Sequence, residues 1–442
     1  MADEIPTVQI LDKKNYFSQS LIPLPNALPY PPLPASSLRL RTSVLSLTVN
    51  NFTYAALGDL LHWWDVHRLH PSTPAPYNDG SKYGRISAWG YAEVLASTVP
   101  SIPQGSHLWG YVPLGTLPED LQVELHPEIP DQVFVTSEHR KHVLEIYNRY
   151  FVYPAGGSGN GSSRAAEEIA KKTTGVAHDA ALRVMHATAY LMESFVFSAD
   201  PSRVVAPGIG PDDATSNPWS TTDADLSDAS VLIFAPGSKA AALFAALLRS
   251  RPTGKDRPRR IVGVTSESSR AFVEATGLYD EVVLTSADDP MSVFRENANA
   301  STSPRKKEKR VVLFDFGGRA GVAQKWAGAL SAQFKEELLF VGVGSPVVDP
   351  KVLPAVFAAM AGPAPPFKTT RVNAGDMRRR AMKAVGEKRY WAEEAESWEK
   401  FRKDGIKGLR MNWGEGMGDV VKGWDRLARG EVLPSEGLVY KL

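Results

Sequence analysis

The segment Ser230-Val231-Leu232-Ile233-Phe234-Ala235-Pro236-Gly237-Ser238-Lys239-Ala240-Ala241-Ala242-Leu243 constrains the fold more than any other. A short apolar run meets a Pro-Gly-Ser turn and passes straight into an Ala/Leu-rich stretch. This reads as the first strand, turn and helix of a nucleotide-binding α/β domain. Only Gly237 stands where a dinucleotide fingerprint places three glycines.

The same rhythm continues downstream. Residues 231–235, 260–265, 282–285, 310–314 and 338–342 are predicted strands, and 240–249, 268–276 and 320–330 are predicted helices. Such alternation argues for a doubly wound parallel sheet. Upstream, Leu38 to Thr48 alternates apolar and polar residues, the period of a strand with one buried face. Further strands are predicted at 86–96, 108–113 and 132–135. Helical patterning starts near Glu138 and is clearest from Ala177 to Phe197.

Five regions follow. Residues 1–37 form an extended proline-rich arm, and 38–150 a β-rich domain. Residues 151–225 form a helical connection, with flexible Gly/Ser-rich sequence at 156–163 and a polar stretch at 208–225. Residues 226–350 form the α/β domain. Residues 351–442 are helical, charged and rich in tryptophan (Trp391, Trp398, Trp413, Trp424), and end in a helix, a turn and a strand.

Composition sets limits. At 442 residues the chain exceeds one ordinary domain, and 43% hydrophobic with 22% charged residues is usual for a soluble globular protein. A formal net charge of +1 argues against a nucleic-acid or polyanion binder. The basic run from Arg305 to Arg310 precedes a strand and reads as a solvated loop. Without cysteine there are no disulfides, thiolate zinc sites or cysteine nucleophiles. The acidic start, Met1-Ala2-Asp3-Glu4-Ile5-Pro6, is not a signal peptide. No apolar run approaches the roughly 20 residues of a spanning helix. A cytoplasmic location is expected, with neither membrane nor nucleic acid as partner.

The turn chemistry suggests a phosphate site. Gly237 supplies the tight turn, Ser238 a hydroxyl and an N–H, and Lys239 a charge for a pyrophosphate or a 2′-phosphate. After the second strand, Thr265, Ser266 and Arg270 suit a 2′-phosphate, although Glu267 sits in the same turn. Two further loops fall at strand ends, where open α/β sheets bind ligands: Asp315-Phe316-Gly317-Gly318-Arg319 and Val343-Gly344-Ser345-Pro346. Gly317 and Gly344 are the ligand-facing candidates there.

This order of domains resembles the medium-chain dehydrogenase/reductase superfamily, the zinc-free quinone and enoyl reductases in particular. Two motifs look like a poorly characterised branch of it. One runs from Val49 to Asp59 (Val-Asn-Asn-Phe-Thr-Tyr-Ala-Ala-Leu-Gly-Asp), followed by His62-Trp63-Trp64. The other is Ala88-Trp89-Gly90-Tyr91-Ala92-Glu93-Val94-Leu95-Ala96-Ser97, followed by Leu108-Trp109-Gly110-Tyr111-Val112-Pro113. The branch likewise replaces the glycine-rich turn with a small motif similar to Gly237-Ser238-Lys239-Ala240-Ala241.

The resemblance implies a GroES-like β-rich catalytic domain and a Rossmann-like sheet, with the C-terminal tail returning to the first domain. It also implies NADP(H) as cofactor, no metal, and hydride delivery to a carbonyl or enone of a small apolar or polyketide-like substrate. By analogy Asn51 orients substrate or nicotinamide, and the Tyr54 hydroxyl acts as acid or hydrogen-bond donor. Trp63, Trp64 and Trp89 either wall an apolar cleft or pack the core. His62 is a candidate acid or base, whereas His62, His67 and His70 lack a metal-ligand pattern. Zinc-free relatives are often homodimers. Two other functions stay open: a non-redox cyclase, isomerase or lyase of secondary metabolism on a degenerate reductase fold, and a non-catalytic binding protein. The absence of a Gly-x-Ser-x-Gly elbow disfavours an α/β-hydrolase.

Overall fold

A computed structural model of the chain describes residues 5–156, 163–208, 219–253, 256–287, 289–295, 309–318, 321–344 and 365–442. Most of the Gly/Ser-rich sequence, residues 209–218 of the polar stretch, residues 305–308 of the basic run, Arg319 and Ser345-Pro346 lie outside the described residues. The described chain divides into two compact units. One holds the residues up to Arg183 together with Arg410–Leu442, and the other lies between Val184 and Leu409. The helix Thr174–Leu191 runs through the boundary.

The first unit is built on strands. β1 (Thr7–Asp12) and β2 (Asn15–Pro23) pair antiparallel as a hairpin. The expectation of an extended arm through residue 37 is corrected for this segment. Asp12 Oδ1 accepts hydrogen bonds from the backbone N–H groups of Lys14 (2.8 Å) and Asn15 (3.2 Å), which sets the turn. Val8 and Ile10 of β1 bury against Ile22, Leu24 and Leu117. The prolines govern the chain only after β2.

Next come β3 (Ser37–Leu47), β4 (Tyr83–Gly84), β5 (Ser87–Ser97), β6 (His107–Pro113), β7 (Glu119–Leu125), β8 (Gln132–Val135) and β9 (Arg149–Tyr153). β4 joins β1. The others follow the order β3-β5-β6-β9-β8-β7, and β7 pairs back onto β3, which closes a barrel. β9 overturns the helical reading that began near Glu138. The helical pieces there are Glu138–Arg140 and Glu145–Asn148, each too short to outcompete barrel closure.

Two glycines permit the close packing. A Cβ on Gly90 of β5 would lie 2.0 Å from the Val44 carbonyl oxygen, and one on Gly110 of β6 would lie 2.3 Å from the Tyr150 ring. The tail returns as expected from the resemblance: β16 (Arg410–Glu415) pairs with β17 (Glu436–Lys441), which pairs antiparallel with β3. Between them the helix Gly416–Ala428 buries Trp424 edge-on against Phe52, with ring centroids 4.8 Å apart.

The second unit carries a six-stranded sheet: β10 (Ala229–Phe234), β11 (Arg260–Thr265), β12 (Glu281–Leu284), β13 (Arg310–Asp315), β14 (Leu338–Gly342) and β15 (Lys368–Arg371). All its pairings are parallel. The strand order is β12-β11-β10-β13-β14-β15. The chain steps outward from β10 in one direction, then crosses to β13 and steps outward in the other. The order therefore reverses between β10 and β13, and ligands bind such sheets at that point, beyond the carboxyl ends of the strands. Every residue of β10, β11 and β14 is buried, as in a parallel sheet covered on both faces.

Candidate active site

The turn after β10 lies at the reversal point. The helix Lys239–Ser250 begins directly after it, capped by Ser238, whose Oγ accepts the Ala241 N–H at 3.3 Å. The residue in the left-handed region is Ala235, with φ of 55°, rather than Gly237. An alanine thus holds a conformation that glycine adopts without strain. Tyr279, just before β12, braces the turn by donating its hydroxyl to the Pro236 carbonyl at 2.8 Å. Burial pushes the Tyr279 phenol well above its ordinary pKa. The sequence reading overlooked Tyr279, whose position shortly after a helix-ending glycine carried no chemical signal.

Around this turn the other predicted residues take definite places. Thr265 ends β11 and is buried. Ser266 opens the helix Glu267–Thr276 without a side-chain cap bond, and its Oγ lies 3.1 Å from Ser268 Oγ and 3.4 Å from Ser269 Oγ. Three hydroxyls therefore cluster at a helix N-terminus. Arg270 turns along its own helix, where Nε donates to Glu274 Oε1 at 2.8 Å, away from the phosphate role expected of it. At β13, Asp315 Oδ1 accepts the N–H groups of Gly317 (3.0 Å) and Gly318 (2.6 Å), so this carboxylate shapes its own loop. Gly317 has φ of 105°. A Cβ on Gly344 would lie 2.8 Å from the Phe316 carbonyl oxygen, so glycine lets the loops after β13 and β14 touch. The Phe316 ring turns back toward Phe244, 5.9 Å away between centroids.

In the first unit, the helix Asn50–Ala56 carries Asn51 and Tyr54. Asn51 is a brace. Its Oδ1 accepts the Thr48 N–H at 2.7 Å and its Nδ2 donates to the Ser87 carbonyl at 2.9 Å. The amide is committed to the backbone, which corrects the expectation that it orients a ligand.

Tyr54 sits in an aromatic box. Its ring meets Trp63 at 4.8 Å, Tyr111 at 5.2 Å and Tyr147 at 6.0 Å between centroids, and Trp89 Nε1 donates to its hydroxyl at 2.9 Å. Burial pushes the phenol up to about 12, against the opposing hydrogen bonds from Trp89 and Asn50. With the Trp89 N–H donating to its oxygen, the hydroxyl keeps its own proton to donate. Trp63, Trp64 and Trp89 are all buried: Trp63 and Trp89 belong to this box, while Trp64 packs beneath Gly58 and Gly84.

The three histidines do not come together. His62 is partly exposed and left-handed, with Nδ1 3.0 Å from Asp65 Oδ2. His70 Nδ1 lies 2.7 Å from Ser72 Oγ. His67 is buried in the connection between β3 and β4, its Nδ1 on Glu119 Oε2 at the start of β7, while Arg85 Nη1 holds the other carboxylate oxygen at 2.7 Å. Burial lowers the His67 pKa to about 4, although Glu119 opposes the shift. Burial also pushes Glu119 up, but His67 and Arg85 together overcome this and hold it at about 2. A small cavity beside the pair is lined by Thr42, Pro113, Leu121 and Tyr150. Sequence reasoning missed this cluster, because Glu119 and Arg85 reach His67 only through barrel closure. Among the described residues, no group of three or more His, Asp or Glu side chains is placed to hold a metal ion. No helix among them is long and apolar enough to cross a membrane.

A closed barrel with a returning C-terminal strand, in one chain with a parallel sheet of reversed order, defines the fold class of the medium-chain dehydrogenases and reductases. Solved structures agree. CurA from Vibrio vulnificus, in complex with NADPH, is 11% identical with a TM-score of 0.53, covering 98% of both chains. A putative NADPH:quinone reductase from Bacillus thuringiensis is 11% identical with a TM-score of 0.51 over 100% of both. The Etr1p/NADP/crotonyl-CoA complex is 11% identical with a TM-score of 0.51, covering 99% of this chain and 100% of the other. By sequence, the chain belongs to the family described as protein of unknown function DUF2855, which matches residues 45–433. A search of curated proteins finds no match.

Proposed function

We propose that this protein is a zinc-independent, NADP(H)-dependent reductase acting on a carbonyl or enone of a small apolar or polyketide-like substrate. The observation that carries the reading is the reversal of strand order at β10 and β13, with a helix N-terminus, Ser238 and Lys239 at the carboxyl end of β10. The residues present fit the cofactor. The N–H groups opening the helix Lys239–Ser250, with Lys239, suit the pyrophosphate. The hydroxyls of Ser266, Ser268 and Ser269 at the next helix N-terminus suit a 2′-phosphate. The missing fingerprint glycines are consistent with a turn held instead by Ala235 and Tyr279. When bound, the nicotinamide supplies hydride to an electron-poor carbon.

In this reading the Tyr54 hydroxyl donates a hydrogen bond to the substrate oxygen. Its raised pKa suits a donor that stays protonated at neutral pH. Zinc independence rests on the absence of cysteine, the ligand type of zinc members. His62, partly exposed and beside Asp65, is the further acid or base candidate in this reading.

The test is NADPH oxidation followed with a panel of apolar enones, quinones and ketones. At least one is expected to turn over, and Tyr54→Phe is expected to lower kcat by about a hundredfold. Turnover of substrate in the absence of nicotinamide would instead point to a cyclase, isomerase or lyase.

A further inference from the structure

Inside the second unit, the helix Thr174–Leu191 and the helix Glu387–Asp404 bring together three polar side chains outside the cofactor turn. Ser397 Oγ lies 3.2 Å from His186 Nε2. On the other edge of the ring, His186 Nδ1 lies 3.7 Å from Glu394 Oε1, and these two side chains are 0% and 2% exposed. Ser397 and Glu394 are three residues apart on one helix, so they share a face and meet the same imidazole. The ring is fixed by aromatic contacts with Trp398 at 5.2 Å and Phe401 at 5.7 Å.

The tautomer follows from this arrangement. His186 Nδ1 has no hydrogen-bond partner among the described residues and faces a carboxylate. A neutral ring therefore carries its proton on Nδ1, and Nε2 is left to accept the Ser397 hydroxyl. The 3.7 Å separation is an ion-pair distance rather than a hydrogen bond. Such contacts are often loose in unliganded proteins and tighten during reaction. Serine, base and orienting carboxylate stand in the relation that activates a nucleophile. Ser397 is half-buried, whereas its two partners are buried, so the serine is the one member of the array with exposed surface.

We propose that Ser397 is an activated nucleophile that takes an acyl group from an activated ester, with His186 as its base and Glu394 as a positioning residue. The Ser397 Oγ–acyl carbon bond forms and the bond from that carbon to the leaving group breaks. The serine proton passes to His186 Nε2 and then to the departing alkoxide. The products are O-acyl serine and an alcohol, with no change in oxidation state. Glu394 stabilises the imidazolium formed between the two proton transfers. This activity is independent of the reductase reading, since none of the three residues belongs to the β10 turn or the Tyr54 box.

The experiment uses the full chain and p-nitrophenyl acetate. Release of p-nitrophenol is followed, and the acetyl group is located by peptide mass mapping. One acetyl group on Ser397 is expected, lost when the protein is denatured beforehand. Ser397→Ala should abolish that label. The near-isosteric Glu394→Gln should slow it by about a hundredfold, the lower range of general-base effects, at an unchanged melting temperature. A purely structural role for Glu394 would leave the labelling rate unmoved. Absence of label on the folded wild type, label confined to lysines and the α-amino group, or an unaffected rate in Glu394→Gln would each overturn the proposal.

Discussion

Ala235 holds a φ of 55° in the turn that the proposed reductase needs most. The left-handed conformation costs a non-glycine residue about 1–2 kcal/mol. Ala235→Gly is therefore expected to raise stability by about 1 kcal/mol in urea unfolding, less the greater freedom glycine gives the unfolded chain. A clear loss would contradict the strain. Tyr54 makes the opposite case. Tyr54→Phe removes the acceptor for the buried Trp89 N–H and should cost about 1–3 kcal/mol on top of its effect on turnover. His67 and Glu119 set the response to acid. Both pKa values are depressed in the folded state, His67 from 6.5 to about 4 and Glu119 from 4.5 to about 2. The unfolded chain then binds the extra protons, so stability falls as pH drops from about 6.5. Urea midpoints at successive pH values should decline from there, and His67→Gln should make the decline between about pH 6.5 and 4 shallower, the remainder coming from His70, His107 and His139, whose pKa values burial also lowers. A flat wild-type profile between pH 6.5 and 4 would contradict the buried pair. Tyr54 was singled out from the sequence, but neither the strain at Ala235 nor the buried pair was legible there. A lone Ala before Pro-Gly-Ser carries no mark of its φ, and His67 and Glu119 are 52 positions apart.

At the scale of elements, β10, β11, β13 and β14 were legible to within two residues at each end, because continuous apolar runs bounded by turn residues have few other uses in a soluble chain. The elements missed are those whose partners decide them. β15 reads Lys-Thr-Thr-Arg and has no apolar pattern, and it exists only as a pairing with β14. β9 sits in sequence with helical spacing, and barrel closure overrode that preference. The Asn51 brace was read as a ligand contact because its type and place in a turn suit either role. Two substitutions probe the elements. Gly90→Ala should cost about 3 kcal/mol or more, since its Cβ would lie 2.0 Å from a backbone oxygen that barrel pairing holds in place. A melting temperature near wild type would refute the barrel register. Ser238→Ala should lose about 1 kcal/mol through the missing cap on the helix Lys239–Ser250.

For the whole molecule, two kinds of sheet carry the fold, a closed antiparallel barrel in one unit and an open parallel sheet in the other. Among the described residues, eleven strands in the barrel unit and its hairpin, and six in the parallel sheet, place this chain within an architecture shared with NADPH-dependent reductases, while 11% identity transfers the fold and no reaction. The β16 and β17 segment illustrates how that architecture depends on both ends of the chain. It is contributed by the last residues yet completes the sheet begun at β3. The reductase reading stands or falls on whether the turn between Phe234 and Lys239 receives a dinucleotide despite its missing glycines. Calorimetric titration of the full-length protein with NADPH and NADH tests this most directly. Saturable binding is predicted, tighter for NADPH, with Lys239→Ala weakening NADPH more than NADH. No saturable binding of either dinucleotide at high micromolar concentration would contradict the account.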